Sequence, residues 1–268
     1  MPRPVDPFCA GAVRRFSTHV GRLLREELEL PERCRQSFIR HTGSAITRLG
    51  PDGLEGIAND VERTGIRTRW NRVLDTRRPI ALAQWVTPYV EGPLLDLFSG
   101  NGLVGQAIAA TGCSVTMADP HEAGHRAGPA AGTFLTVDHL GRIPDSHAYG
   151  TVLLCTVLHH ADEADALLTR ALGLAARRLI VIENAVEAEF PADYQVLMDL
   201  FFNRCLNPSA APVTGEHRRT SEWIAAACRD GDLLRMERRA ALPGIPLAHQ
   251  LIVVDLSRQP PESARRNR

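Results

Sequence analysis

The chain has 268 residues, 44% of them apolar, enough for one large domain or a domain with a helical cap and too apolar for a disordered chain. Its 31 basic and 31 acidic residues cancel, so no long-range field recruits nucleic acid or an anionic membrane, and a small-molecule partner is expected. All the basic residues are arginine, which excludes Schiff-base chemistry and a Walker P-loop, since both need lysine.

Residues 8–75 carry helical periodicity and few strand signals. Apolar residues at helical spacing run from Phe8 to Leu30 and stop at Pro31, which suits the first turn of a second helix reaching about Leu49. Leu49-Gly50-Pro51-Asp52-Gly53 reads as a turn, and a third helix is expected from Leu54 to about Glu62. Thr64 to Trp70 reads as a connector that concentrates polar and aromatic groups. These residues are expected to form an N-terminal helical cap, 1–75.

From Pro79 the pattern changes to alternating strands and helices. Pro79–Tyr89 is expected to be a short helix, and Pro93–Phe98 a short apolar strand ending at a glycine-rich turn. A helix over 104–110, strands over 114–118 and 133–137, and a buried strand over 150–158 follow in order. Residues 162–176 read as a helix and 178–182 as a strand. Beyond Asn184 the pattern gives helices near 193–205 and 220–230, separated by a polar loop at 207–219. Two final strands near 234–241 and 249–256 suit an antiparallel pair on the sheet edge. Apolar strands alternating with helices imply an α/β Rossmann-like domain over 76–256, mostly parallel with an antiparallel edge hairpin. The tail, 257–268, is Pro-rich and charged and is expected to be disordered.

The six cysteines show no CxxC spacing, so no zinc knuckle or thioredoxin-type motif is expected, and Cys113 and Cys155 lie in apolar, strand-like surroundings. The N-terminus lacks an apolar leader core and no run of 18 apolar residues occurs, which points to a cytoplasmic protein with reduced thiols and no membrane span.

The strongest local signal is Gly100-x-Gly102-x-x-Gly105 between the strand ending at Phe98 and the next helix. Glycines let the backbone turn tightly and approach a ligand, and the helix start offers free N–H groups. Asp119 ends the following strand, 23 residues after Asp96, where a carboxylate can accept both hydroxyls of a ribose. NAD(P) and S-adenosylmethionine both fit such a turn. Asp96, four residues before Gly100, favours the second: a carboxylate there repels a pyrophosphate and suits a sulfonium and an ammonium.

With these residues the stretch resembles motif I of the class I S-adenosylmethionine-dependent methyltransferases, with Phe98 in place of the first glycine. The resemblance covers about two-thirds of the chain and extends to Cys155-Thr156-Val157-Leu158-His159-His160, which looks like the post-strand-four motif of small-molecule methyltransferases. It implies S-adenosylmethionine as cofactor and Asp96, Phe98, Ser99, Gly100, Gly102, Asp119, Pro120, Asp138, His139 and Cys155 as its binding residues. Asp119 would hold the ribose, and Asp138 with His139 the adenine amino group.

Methyl transfer needs alignment and, where the acceptor loses a proton, a base. His159 or His160, following the fourth strand, is a candidate for that base, against the plainer reading of a structural histidine; metal ligation is not expected. Asn203, four residues after Asp199, and Tyr194 and Arg204 are candidates for an acceptor pocket, against a solvated helix face. Glu183 and Asn184 end the fifth strand and are candidates for substrate contact. Arg69 could pair with the cofactor carboxylate and Trp70 could pack near its sulfonium, although such aromatics are more often core.

The resulting expectation is a methyltransferase acting on a small molecule of bacterial specialised metabolism, as monomer or homodimer. One alternative keeps the same motifs: an enzyme that cyclises S-adenosylmethionine to azetidine-2-carboxylate and methylthioadenosine. A nicotinamide dehydrogenase and a non-catalytic binding protein are weaker alternatives. Nucleic-acid methylation is disfavoured by the absence of a basic patch with interleaved aromatics and of a base-flipping Asn-Pro-Pro-aromatic motif.

Overall fold

The computed structural model describes residues 5–120, 132–138, 142–143, 149–207, 213 and 217–257. The chain divides into two compact units. One comprises Met1–Ala81, Asn184–Arg219 and Arg239–His249; the other comprises Leu82–Glu183, Thr220–Arg238 and Gln250–Arg268. The helical unit therefore takes in two segments beyond residue 75, where the sequence places the boundary of the cap.

The helical unit is built on α1 (Ala10–Glu26), α2 (Glu32–Leu49), α3 (Gly53–Arg63), the first four turns of α4 (Ile66–Val86) and α7 (Ala192–Phe201). Cys9 Sγ accepts the Ala12 N–H to cap α1, whose Phe16, Val20, Leu23 and Leu24 recur at helical spacing and are buried. They share a core with Ile46, Leu54, Ile57, Trp70, Leu197 and Phe201. Gly53 is required where α3 approaches α2, because a Cβ there would lie 2.6 Å from the Ala45 carbonyl oxygen.

α4 departs from the sequence reading. The expected connector at 64–70 and the expected helix at 79–89 are largely one helix, with Pro79 inside it. A proline forfeits one helical hydrogen bond. Burial of Ile66, Trp70, Val73, Leu82, Trp85 and Val86 along the helix outweighs that loss. The expected helix at 193–205 ends at Phe201 and continues as a π-helical turn, Phe202–Leu206. Cys113 precedes the second strand instead of lying in it.

The second unit carries β1 (Leu94–Leu97), α5 (Leu103–Ala109), β2 (Val115–Asp119), β3 (Thr133–Thr136), β4 (Tyr149–Cys155), α6 (Ala164–Leu174), β5 (Ala175–Asn184), α8 (Thr220–Ala227), β6 (Asp232–Arg239) and β7 (His249–Asp255). The strands form one mixed sheet in the order β3-β2-β1-β4-β5-β7-β6. β1 pairs in parallel with both β2 and β4, and β2–β3 and β4–β5 are also parallel. Every residue of β1 is buried, as are all but the last of β4, which is why these strands read as continuous apolar runs. Strand order reverses between β1 and β4, the place where open α/β sheets bind ligands beyond the strand C-termini. Among the described residues no helix is long and apolar enough to cross a membrane. The tail beyond Ser257 and most of the 207–219 loop lie outside the described residues.

Candidate functional site

The chain leaves β1 through backbone that few side chains tolerate. Phe98 has φ +60°, Gly100 +57° and Gly102 +73°. Beside it, β4 ends at Thr156 with φ +56°. Two non-glycine residues are thus held in the left-handed region just past the ends of adjacent central strands. Strain of this kind costs about 1–3 kcal/mol and gathers at functional sites. The Ser99 N–H ties the turn to the Ala118 carbonyl at 3.0 Å, and the Thr156 N–H is tied to Ile182 at 2.7 Å.

Two carboxylates organise the turn. Asp119 Oδ2 accepts the Gly100 N–H at 2.8 Å, so the end of β2 fixes the loop above β1. Asp96 is buried within β1; burial pushes its carboxyl up to about 7, the Gly105 N–H acts against that rise, and nearby Asp119 adds to it. Gly105 must be glycine: a Cβ would lie 2.5 Å from Met117 Cγ and 3.0 Å from Asp96 Oδ2. A Cβ on Gly100 would meet none of the described residues within 4 Å, so among them the turn is open above that residue.

The turn fits the cofactor that the sequence suggests. Asp96 Oδ2 and Ser99 Oγ are buried polar atoms with no hydrogen-bond partner among the described residues, and they flank the open turn. A buried carboxylate with an unmatched oxygen suits a cationic ligand. Asp119 and Pro120 at the end of β2, and Cys155 at the end of β4, occupy the same C-terminal side of the sheet. Asp138 follows β3, accepts the Arg142 N–H at 2.9 Å and faces the Arg142 guanidinium at 3.5 Å. His139 lies outside the described residues.

A second cluster stands where β4 and β5 end. β5 delivers Glu183, fully buried, beside a single helical turn at Leu158–His160. One carboxylate oxygen accepts the Leu158 N–H at 2.7 Å, and the other lies 2.6 Å from His159 Nδ1. Burial pushes the Glu183 carboxyl up, but the charge and hydrogen bond of His159 and the Leu158 N–H outweigh it and hold Glu183 below the usual carboxylate range. An ionised Glu183 only accepts hydrogen bonds, so Nδ1 carries the proton and Nε2 is the basic nitrogen of His159. The His160 ring lies tilted by 43° against it with ring centroids 4.0 Å apart, and His160 is half-buried. Of the two candidate histidines, His159 is the one that Glu183 aligns. Sequence reading separated Glu183 from this role because the partners are 24 residues apart and only the β4–β5 register joins them.

The helical unit holds the remaining candidates. Trp70 is not a lid: its ring is fully buried, its indole N–H donates to the Gly244 carbonyl at 2.7 Å, and Phe201 and Phe202 pack on it at 5.5 and 5.8 Å. No face remains open to a sulfonium. Arg69 is exposed on α4 and donates to the Leu28 carbonyl at 3.5 Å. Asn203 lies half-buried in the π-helical turn. Tyr194 is buried and donates to the Pro246 carbonyl, so it does not line a pocket. Asp199 pairs with His217 at 3.0 Å, a contact without a sequence signal because the partners sit 18 residues apart in different segments.

The fold is a Rossmann-like sheet of the class I methyltransferase type. Solved structures agree. A Bacillus halodurans C-125 protein described as a candidate methyltransferase is 13% identical, matches 66% of this chain and 98% of its own, and aligns with a TM-score of 0.50. A chain from the Haloferax volcanii complex of the Trm112 methyltransferase activator and its candidate methyltransferase is 12% identical over 76% of this chain and 99% of its own, with a TM-score of 0.54. At such identities the likeness establishes the fold. No protein-family model matches the chain, and a search of curated proteins gives no match.

Proposed function

We propose that the protein is an S-adenosylmethionine-dependent methyltransferase acting on a small molecule whose accepting atom carries a dissociable proton. The observation that carries this reading is the buried Glu183–His159 pair at the ends of β4 and β5, on the side of the sheet where the Asp96–Gly105 turn leaves β1. The cofactor supplies a methyl group already activated by a sulfonium. Asp119 would accept its ribose hydroxyls. Asp96, Ser99 and the turn backbone would hold its charged methionyl end. The protein's remaining task is to align the acceptor and take its proton. His159 Nε2 receives the proton, while Glu183 fixes the tautomer and stabilises the imidazolium that forms.

The test is calorimetric titration of S-adenosylmethionine and S-adenosylhomocysteine into wild type and Asp119→Ala, followed by mass spectrometry of reactions with a panel of small phenols and amines. Tight wild-type binding lost in the variant, with a methylated product and S-adenosylhomocysteine, supports the proposal. Methylthioadenosine together with azetidine-2-carboxylate, formed from S-adenosylmethionine alone by wild type and not by Asp119→Ala, makes the protein a cyclase, and absence of binding overturns both readings.

A further inference from the structure

Among the described residues, six large apolar side chains stand well exposed, and three of them share one short strand: Leu233 at 45%, Leu234 at 47% and Met236 at 43%. That strand is β6, the terminal strand of the sheet, with β7 on one side and, among the described residues, no strand on the other. An edge strand is a template for another strand, and charge usually blunts it; β6 sets five charged residues, Asp232, Arg235, Glu237, Arg238 and Arg239, beside its three exposed apolar ones, so a partner strand must match both.

The two faces of β6 differ. The odd-numbered face is anchored: Glu237 accepts hydrogen bonds from Trp85 Nε1 at 2.8 Å, Tyr89 Oη at 2.6 Å and Arg235 Nε at 3.0 Å. The even-numbered face carries Asp232, Leu234, Met236 and Arg238, all exposed. Its order is acid, apolar, apolar, base. We propose that β6 pairs antiparallel with β6 of a second copy, joining two sheets across a two-fold axis.

The sequence selects the register. A two-fold axis normal to the sheet keeps each face on its own side, so even residues oppose even residues. Placing Arg235 opposite its own copy sets Asp232 opposite Arg238 and Leu234 opposite Met236. Charge then meets opposite charge and apolar meets apolar, twice over. A slip of two residues one way sets Asp232 against Met236. The opposite slip sets Arg238 against Leu234. On the odd face, the two Arg235 side chains that meet at the axis are each neutralised by their own Glu237.

The experiment is sedimentation velocity on the full chain over a concentration series, with circular dichroism to confirm that each variant folds. Wild type is expected to sediment as a dimer of the 29.4 kDa chain. Asp232→Arg is expected to weaken association at least tenfold, and the exchange Asp232→Arg with Arg238→Asp to restore it. Arg235→Cys is expected to give a disulfide-linked dimer on oxidation above the wild-type background, whereas Leu233→Cys is not. A monomer at every concentration, or a dimer indifferent to both the single charge reversal and the exchange, overturns the proposal. These readouts need neither cofactor nor acceptor, so they stand or fall independently of the proposed activity.

Discussion

Glu183 places one carboxylate oxygen 2.6 Å from His159 Nδ1 and the other 2.7 Å from the Leu158 N–H, so one side chain fixes both the turn and the imidazole it carries. Glu183→Gln keeps the shape but removes the charge and the preference for one tautomer. The expected result is a turnover loss of about 10²-fold or more, in the range of a lost general base, with cofactor affinity unchanged. Single-turnover kinetics beside a binding titration separates the two quantities. The pH sign follows from the depressed Glu183 pKa. The stability this carboxylate contributes is present above its unfolded value of 4.5 and is lost as pH falls through the lower folded value. Thermal melts at acid pH should therefore show a smaller decline for Glu183→Gln than for wild type.

Three glycines separate packing from ligand access. Gly105→Ala drives a methyl into Met117 and the Asp96 carboxylate and is expected to cost about 1–3 kcal/mol. Gly100→Ala meets no neighbour but must adopt φ +57°, a cost of roughly 1–2 kcal/mol, and it puts a methyl over the open turn. Gly173, exposed on α6 with open space around it, serves as the control: Gly173→Ala should stabilise by about 0.5–1 kcal/mol. Denaturant melts rank the stabilities, and titration with S-adenosylhomocysteine should show weakened binding for Gly100→Ala and wild-type binding for Gly173→Ala.

What could be read from the chain was local. The Asp96–Gly105 turn was legible because its backbone angles demand particular residues at fixed offsets, and β1 and β4 were legible because strands buried on both faces are apolar throughout. Pairings set by tertiary register were not. Glu183 reaches His159 only because β4 and β5 run in parallel with Cys155 beside Ile182. Asp199 meets His217 through a chain return that no periodicity marks. α4 was misread because Pro79 and the polar 64–70 stretch outweighed, on paper, a buried row that only the folded cores reveal.

Trp70 provides a direct test of core against lid. Trp70→Phe keeps an aromatic ring but removes the indole N–H, leaving the Gly244 carbonyl without this donor. A lost buried hydrogen bond costs about 1–3 kcal/mol. The expected outcome is a lower melting temperature with unchanged affinity for S-adenosylhomocysteine. A loss of cofactor affinity at full stability would instead return Trp70 to the ligand.

Asp96 yields two opposite effects from one substitution. Burial raises its carboxyl from 3.8 to about 7, so between those values the folded protein holds a proton that the unfolded chain has released. Stability of the cofactor-free protein should therefore fall as pH rises from about 4 to about 7, by at most on the order of 4 kcal/mol. Asp96→Asn cannot ionise and should melt higher than wild type at neutral pH, by roughly 2–4 °C for each kcal/mol regained. The same change removes the negative charge that faces a sulfonium and an ammonium, so S-adenosylmethionine should bind the variant more weakly. Wild-type affinity should rise with pH through about 7, and binding below that pH should release a proton, measurable as a buffer-dependent enthalpy. A variant that is more stable yet binds equally well at every pH would show that Asp96 serves the turn and not the ligand.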